Sequence, residues 1–186
     1  MLTTLSRMKK ALQMDENDSS MDETLAMYAE AASQKIEAHL KRSLKRAIYQ
    51  ERVSGYANSP YLNLKQHPII GSVSLTDMNG AAIEPDFLLP EEGRLFRNYG
   101  WPNGKHNIIV EYEAGYVLPQ DASQGNPRTL PEPIELACLL YAQTLMRSPG
   151  VIAERFGNVS ITYTEPSEGL PLAVCSLLAP YVGSWV

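Results

Sequence analysis

Only two cysteines and three histidines occur in this 186-residue chain. Neither a CxxC pair nor an HExxH run is among them, so the common zinc sites have no ligand set to start from. Cys138 and Cys175 sit in the apolar runs ACLLYA and AVCSLLA, which suits small buried thiols better than a disulfide framework. No GxGxxG, GxxxxGK or GxSxG is present, which withdraws support from nucleotide-binding loops and from a serine nucleophile elbow. No stretch approaches the roughly 18 apolar residues of a membrane span. The opening MLTTLSRMKKAL lacks the apolar core and cleavage site of a signal peptide. The expectation is a chain kept in a reducing cytoplasm, with no membrane partner. Positive charge is also short: sixteen Lys and Arg against twenty-one Asp and Glu give −5, which disfavours wrapping of duplex DNA.

What is present reads as one domain of mixed α and β structure. Thr3 or Thr4 caps a short first helix with Leu5, Met8, Ala11 and Leu12 on one side. The acidic run DENDSSMDE follows. Read from Asp15 as a calcium loop it lacks the sixth-position glycine, and its twelfth position is Ala26, so a helix-capping loop is the better account. Ser20 and Glu23 have the spacing of a capping box. From there Leu25, Tyr28, Ala29, Ala32, Ile36 and Leu40 mark a second helix, which is expected to pair with the first. Lys41, Arg42, Lys45 and Arg46 collect at its far end, where cations complement the dipole and present the one basic patch of note.

Between Ile48 and Tyr116 short runs such as IYQERV, YLNLKQ, GSVSLTD and FLLPEEG are punctuated by Gly, Pro, Asn and Asp, the pattern of an antiparallel sheet. Met78-Asn79-Gly80 is the expected hairpin turn. Ile108, Val110 and Tyr112 alternate with Ile109, Glu111 and Glu113 as a two-faced strand that Gly115 ends. After a loop from Pro119 to Pro131, a third helix is expected from about Pro133. Its row of Ile134, Ala137, Cys138, Tyr141 and Leu145 faces a core, while Leu136, Leu139 and Leu140 widen the apolar surface enough to imply burial on two sides, by the sheet or by another subunit. Ser148-Pro149-Gly150 breaks the chain, Val159, Ile161 and Tyr163 alternate as a later strand, and Pro171 opens a last short helix with Val174, Leu177, Leu178 and Tyr181 on one face. Pro180 limits that helix to little more than two turns.

Chemistry has little to work with. His39, His67 and His106 are isolated in sequence, and a hydrolase reading rests on nothing stronger than His67, His106 and nearby acids. Tyr99, Trp101 and Tyr116, beside glycines and prolines, suit either an interface or loop packing. No catalytic residue, cofactor site or metal site is assigned.

Taken in order, LTTLSRMKKALQM, the KRSL that closes the second helix, VEYEAGYVLP and the closing LLAPYV resemble the head-tail connector (adaptor) proteins of tailed bacteriophages and prophages. YLNLKQHPIIGSVSLTD is similar to the middle of those proteins. The interval from Pro149 to Gly169 departs from their pattern by adding a strand. The resemblance implies an α+β chain: mainly a helical bundle of about four helices, with an antiparallel β subdomain inserted between the second and third. Its parts would be a helical hairpin at 1–47, a β-rich insert at 48–118, and the third helix, extra strand and C-terminal helix at 119–186. It implies a non-enzymatic subunit of a ring of about twelve copies that lies below the portal, extends the DNA channel and joins head to tail in the virion neck. Partners would be further copies of itself, the portal protein, and tail or head-completion proteins, with genome DNA passing through unbound. Leu136, Leu139, Leu140, Leu177, Leu178, Tyr181 and Trp185 are the candidate docking residues. The alternative is a DNA-binding or packaging accessory protein of a prophage, with Lys41, Arg42, Lys45 and Arg46 facing nucleic acid.

Overall fold

In the computed structural model, which describes residues 1–147 and 169–183 and the backbone of 153–156 and 159–162, Thr4 opens helix α1 (Leu5–Ala11). Its Oγ1 accepts a hydrogen bond from the Arg7 amide at 3.3 Å, satisfying one of the orphan donors of the first turn. Helix α2 spans Asp22–Leu40. Its N-cap is Met21, with no side-chain cap, so the expected Ser20–Glu23 capping box does not form. The acidic run takes up its own polar groups instead. Asp15 Oδ1 accepts the Asn17 amide and Asp18 Oδ1 accepts the Ser20 amide, both at 2.9 Å, turns that compete locally with helix capping. Lys9 then bridges this loop, donating to the Glu16 carbonyl and pairing with Asp22 at 2.6 Å.

Leu25, Ala29, Ala32, Ser33, Ile36 and Leu40 form the buried stripe of α2, as the helical period requires. The helix ends at Leu40 with Lys41 in the left-handed region, φ 55°. The four cations of 41–46 therefore do not extend the helix, as the sequence had suggested; they follow it. Helix α3 (Glu132–Met146) carries Pro133 in its first turn, and α4 (Leu172–Leu178) runs into a 3-10 turn at Ala179–Tyr181 that contains Pro180. Proline at the first turn costs no intrahelical hydrogen bond, and at the end it stops propagation. α1 packs on α2, α2 on α3 and α3 on α4. A seven-residue helix is marginal by itself; α4 is held by burying Val174 and Leu178, each contributing about 1.5–3 kcal/mol.

Chain contacts divide the molecule into two compact units, one of Met1–Lys41 with Leu118–Val182, the other built on Arg42–Val117. The second holds strands β1 (Ala47–Gly55), β2 (Tyr61–Asn63), β3 (Ile69–Asp77), β4 (Phe87–Leu89), β5 (Arg94–Phe96) and β6 (Gly104–Ala114). They form two antiparallel sheets, ordered β1-β6-β3 and β2-β5-β4. The inner faces meet in a core of Leu62, Leu64, Ile69, Leu75, Ile83, Leu95, Trp101, Ile108, Val110 and Tyr112. The turn at Met78-Asn79-Gly80 is present. Asp77 Oδ1 accepts the amides of Asn79 and Ala81 at 2.8 Å, and Gly80 has φ 82°, so this is an Asp-anchored turn with a glycine supplying the positive φ. Gly115 has φ 100°, and a Cβ there would lie 2.6 Å from the Lys45 carbonyl oxygen; the exit from β6 needs glycine on both counts. Two further strands, β7 (Ala153–Phe156) and β8 (Val159–Thr162), pair antiparallel. The sequence pattern had indicated only the second of these, and its Tyr163 lies outside the described residues.

Candidate interaction surfaces

In the helical unit α3 is covered on two sides by α2 and α4. Ile134, Ala137, Cys138 and Ala142 are buried. Of the leucines beyond that row, Leu139 and Leu140 are half-buried and Leu136 is 46% exposed. Leu178 is buried within its own chain, Leu177 and Tyr181 are half-buried, and Trp185 lies outside the described residues. Leu172, which the sequence did not single out, is 74% exposed.

The same unit contains a buried ion cluster. Glu135, 1% exposed, accepts hydrogen bonds from Thr3 Oγ1 at 2.9 Å and from Arg7 Nη1 at 2.6 Å, and pairs with Arg128 Nη2 at 2.9 Å. Arg7 and Arg128 also reach Glu132, at 3.2 and 2.6 Å. The Arg128 guanidinium, ahead of Arg7, holds the Glu132 carboxyl below the usual carboxylate range. Three separate segments, the N-terminus, the loop after β6 and α3, are thereby tied together. A first-turn glutamate normally reads as a dipole-complementing surface residue; only the approach of Thr3 and Arg7, distant in sequence, reveals its role.

In the β unit the basic stretch is unevenly placed. Arg42 is buried, with Nη1 2.6 Å from His67 Nδ1 and also donating to the His67 carbonyl. Burial, then the Arg42 charge, lowers the His67 pKa to about 4, so the ring is neutral near pH 7. Arg46 is paired with Glu113 at 2.7 Å, while Lys41 and Lys45 are exposed. Close by, Tyr112 Oη donates to Glu51 at 2.6 Å and accepts the Gln66 amide at 3.0 Å; burial and that carboxylate push the phenol pKa up. These contacts fix the Leu64–His67 turn against the main sheet.

The outer face of the smaller sheet is aromatic. Antiparallel register sets Tyr61 opposite Phe96 and Phe96 opposite Phe87, giving a row across all three strands. Phe87 stacks on Phe96 at 4.4 Å, Tyr61 meets Phe96 edge-on at 5.3 Å, and the Arg94 guanidinium lies 4.3 Å from the Tyr61 centroid. Tyr61 and Phe87 are 40% and 46% exposed. Beside this row a cleft of about 480 Å³ is lined by consecutive residues of β1 and β2, among them Arg52, Ser54, Tyr61 and Asn63, and by Tyr56 and His106. Among the described residues its lining includes no carboxylate. His106 has φ 49° and its amide donates to Ser54 Oγ at 3.0 Å. Short strands of three residues give too little alternation for this row to be recognised in the sequence. Tyr99 is exposed, whereas Trp101 is buried with Nε1 donating to the Pro60 carbonyl at 3.1 Å.

Formal charge follows the division into units. Residues 42–117 contain eight Lys and Arg and eight Asp and Glu, and the remaining residues eight and thirteen, so the whole excess of five acids falls outside the β unit. Among the described residues no group of three His, Cys, Asp or Glu side chains converges as a metal site would require, and no helix is long and apolar enough to cross a membrane.

The family model described as "Head completion protein" matches residues 1–181. The fold is shared with a chain from the neck of an empty gene transfer agent particle computed with C6 symmetry: TM-score 0.62 and 17% identity, covering 100% of this chain and 91% of that one. A chain of the native gene transfer agent virion matches at TM-score 0.61 and 17% identity, with the same coverage. A third, from the neck of the native particle computed with C12 symmetry, matches at 0.55 and 18%, covering 88% and 84%. No curated protein matches the chain.

Proposed function

The chain belongs to the head completion protein family, and on that premise we propose that it is a structural subunit of the virion neck, joining the filled head to the tail. The observation that carries this reading is the family match over residues 1–181. Likeness to chains from the necks of gene transfer agent particles, over 100% and 88% of this chain, supports it. In the arrangement we infer, about twelve copies form a ring below the portal and lengthen the DNA channel, with the four helices as a bundle and the β unit as an insert between α2 and α3. The C6 and C12 symmetries with which the similar necks were computed support a cyclic assembly, which requires two different, complementary faces on each subunit. The acidic excess fits a protein that lets DNA pass without holding it. Portal and tail or head-completion proteins are the partners of this reading, and it calls for no catalysis and no cofactor.

The test is deletion of the gene from the phage or prophage that carries it. Filled or leaking heads without tails are expected; normal yields of tailed particles would overturn the proposal. The alternative of a DNA-binding or packaging accessory protein gains no specific observation, since Arg42 is buried against His67 and Arg46 is engaged by Glu113.

A further inference from the structure

We propose that the open edge of β1 receives strand β8 of a second copy of this chain, which adds to the β1-β6-β3 sheet as a fourth strand. The proposal rests on the ring reading above and names a contact that would build it. The outer strand of a sheet leaves a row of unpaired amides and carbonyls, and proteins shorten or cover such edges when nothing is to pair with them. Three of the four outer strands in the β unit are managed in that way. β2 and β4 are three residues each. β3 is covered, with the Ile83 amide donating to the Leu75 carbonyl at 2.9 Å and the Ile69 amide to the Pro90 carbonyl at 3.0 Å. β1 is nine residues long and contains neither proline nor lysine, and its register slips only at the far end, between Val53 and Gly55. Among the described residues, Ile48–Ser54 make no backbone hydrogen bond beyond the ladder to β6; the exposed His106 ring approaches the Arg52 carbonyl at 3.4 Å. Ile48 is 74% exposed, and the cleft of about 480 Å³ lined by β1 and β2 leaves room beside Arg52–Ser54.

The β7–β8 ribbon has the complementary need. Among the described strands these two pair only with each other. A two-stranded ribbon is marginal by itself in water, and a third strand is one way to give it independent stability. Of its two edges β8 is the better donor: VSIT is β-branched at three of its four positions, whereas AERF sets Glu154 and Arg155 in the middle of β7. Six residues separate Met146 from Ala153 and nine separate Thr162 from Leu172, so the ribbon can stand at most about 25 and 35 Å from the ends of α3 and α4. That reach allows it to be carried to a neighbour. In strand addition the main-chain hydrogen bonds supply the affinity, which an uncovered nine-residue edge provides. The contact is heterologous: each copy offers its β1 edge to one neighbour and its ribbon to the other, so the pairing propagates around a ring.

The experiment is cross-linking by a short bismaleimide in particles made with the full-length double variant Gln50→Cys/Ser160→Cys on a Cys175→Ser background, beside each single variant. Expected is a ladder of linked chains in the double variant, several-fold above either single one, because each copy joins two neighbours. Arg52→Cys in place of Gln50→Cys repeats the test two residues along the edge. No ladder from either pairing, with a multi-copy neck intact by mass, would overturn this contact and leave the ring reading standing. Linkage confined to single chains would show the ribbon completing its own sheet, and linked pairs in Gln50→Cys alone would show two β1 edges meeting; each overturns the proposal. A chain present as a single copy in the particle would overturn the ring reading as well. The unmodified protein supplies an arm that needs no substitution: amides of Ile48–Ser54 and Val159–Thr162 should exchange with solvent several-fold more slowly in the assembled neck than in the free chain. Unchanged exchange in either segment would overturn the pairing.

Discussion

Arg7 and Glu135 lie 2.6 Å apart, but the arginine side chain is 45% exposed and the carboxylate 1%. The two ends of this ion pair therefore differ in what their loss would leave behind. Removing Glu135 leaves the mostly buried Arg128 with only the exposed Glu132 and the Leu130 carbonyl, and takes from the buried Thr3 hydroxyl its Glu135 partner. Glu135→Ala is expected to cost about 3 kcal/mol, the scale for breaking one side of a buried pair. Arg7→Ala leaves Glu135 with Arg128 and Thr3, and should cost about 1 kcal/mol or less. Urea unfolding of both variants checks this; equal losses would mean that the cluster does not anchor the N-terminus.

That cluster also marks the limit of reading this chain as a sequence. Local pattern is enough for α2, where six apolar positions at helical spacing coincide closely with the buried stripe, and for β6, whose Ile108, Val110 and Tyr112 point into the core. The Asn79-Gly80 turn and the exit at Gly115 are likewise local events. Ser20 misleads because Asp18, two residues earlier, competes for its amide. Arg42 misleads because a cation in a basic run is normally solvated, and only the fold brings His67 to it. The aromatic row depends on the register of three short strands, one of which, β2, is distant from the other two in sequence, so no periodicity announces it. Function followed the same division: the order of the sequence blocks indicated a phage head-tail family, while of the residues named as docking candidates Leu136 is exposed and Leu178 is buried within its own chain.

Acidification should weaken the fold in a window set by His67. Its pKa in the folded chain is about 4, against an ordinary value near 6.5. Above about pH 6.5 neither state holds the extra proton. Between about 6.5 and 4 the unfolded chain takes it up and the folded chain resists, so stability falls as pH falls. Burial acts first against the proton, the Arg42 guanidinium acts in the same direction, and the Glu91 backbone favours the proton less strongly. Unfolding midpoints of wild type and His67→Gln across pH 8 to 4 provide the measurement. The variant should lack this part of the slope; parallel curves would remove His67 from the account.

Gly115→Ala tests the exit from β6. The substitution forces an L-residue to φ 100° and drives its Cβ to 2.6 Å from the Lys45 carbonyl oxygen, a backbone atom that cannot swing aside. The Gly115 amide donates to the Pro68 carbonyl at 2.9 Å and its neighbour Tyr116 to Leu44 at 2.8 Å, so a shift here disturbs both flanks of the turn. A loss of roughly 2 kcal/mol or more is expected from strain and clash together. Gly80→Ala is the control: Gly80 has a similar φ of 82° but open space around its missing side chain, and should lose only about 1 kcal/mol. Thermal melts that rank the two the other way would place the constraint in the hairpin rather than at the end of β6.

The two thiols should separate kinetically. Cys138 is fully buried where α3 meets α2, with Sγ 3.5 Å from Ser33 Oγ, and burial pushes its pKa up to about 11. Thiolate is the reactive form, so at pH 8 Cys138 is disfavoured twice, by access and by charge. Cys175 on α4 is only half-buried. A chromogenic disulfide reagent added to the native protein should therefore modify one equivalent quickly, lost in Cys175→Ser, and a second only at the rate at which α3 separates from its neighbours. That slow phase should accelerate with urea, and it should accelerate in Glu135→Ala, which loosens the first turn of the same helix. A fast second equivalent in native buffer would show that the α2–α3 contact opens readily, and with it the packing that leaves Leu136 as the outward edge of α3.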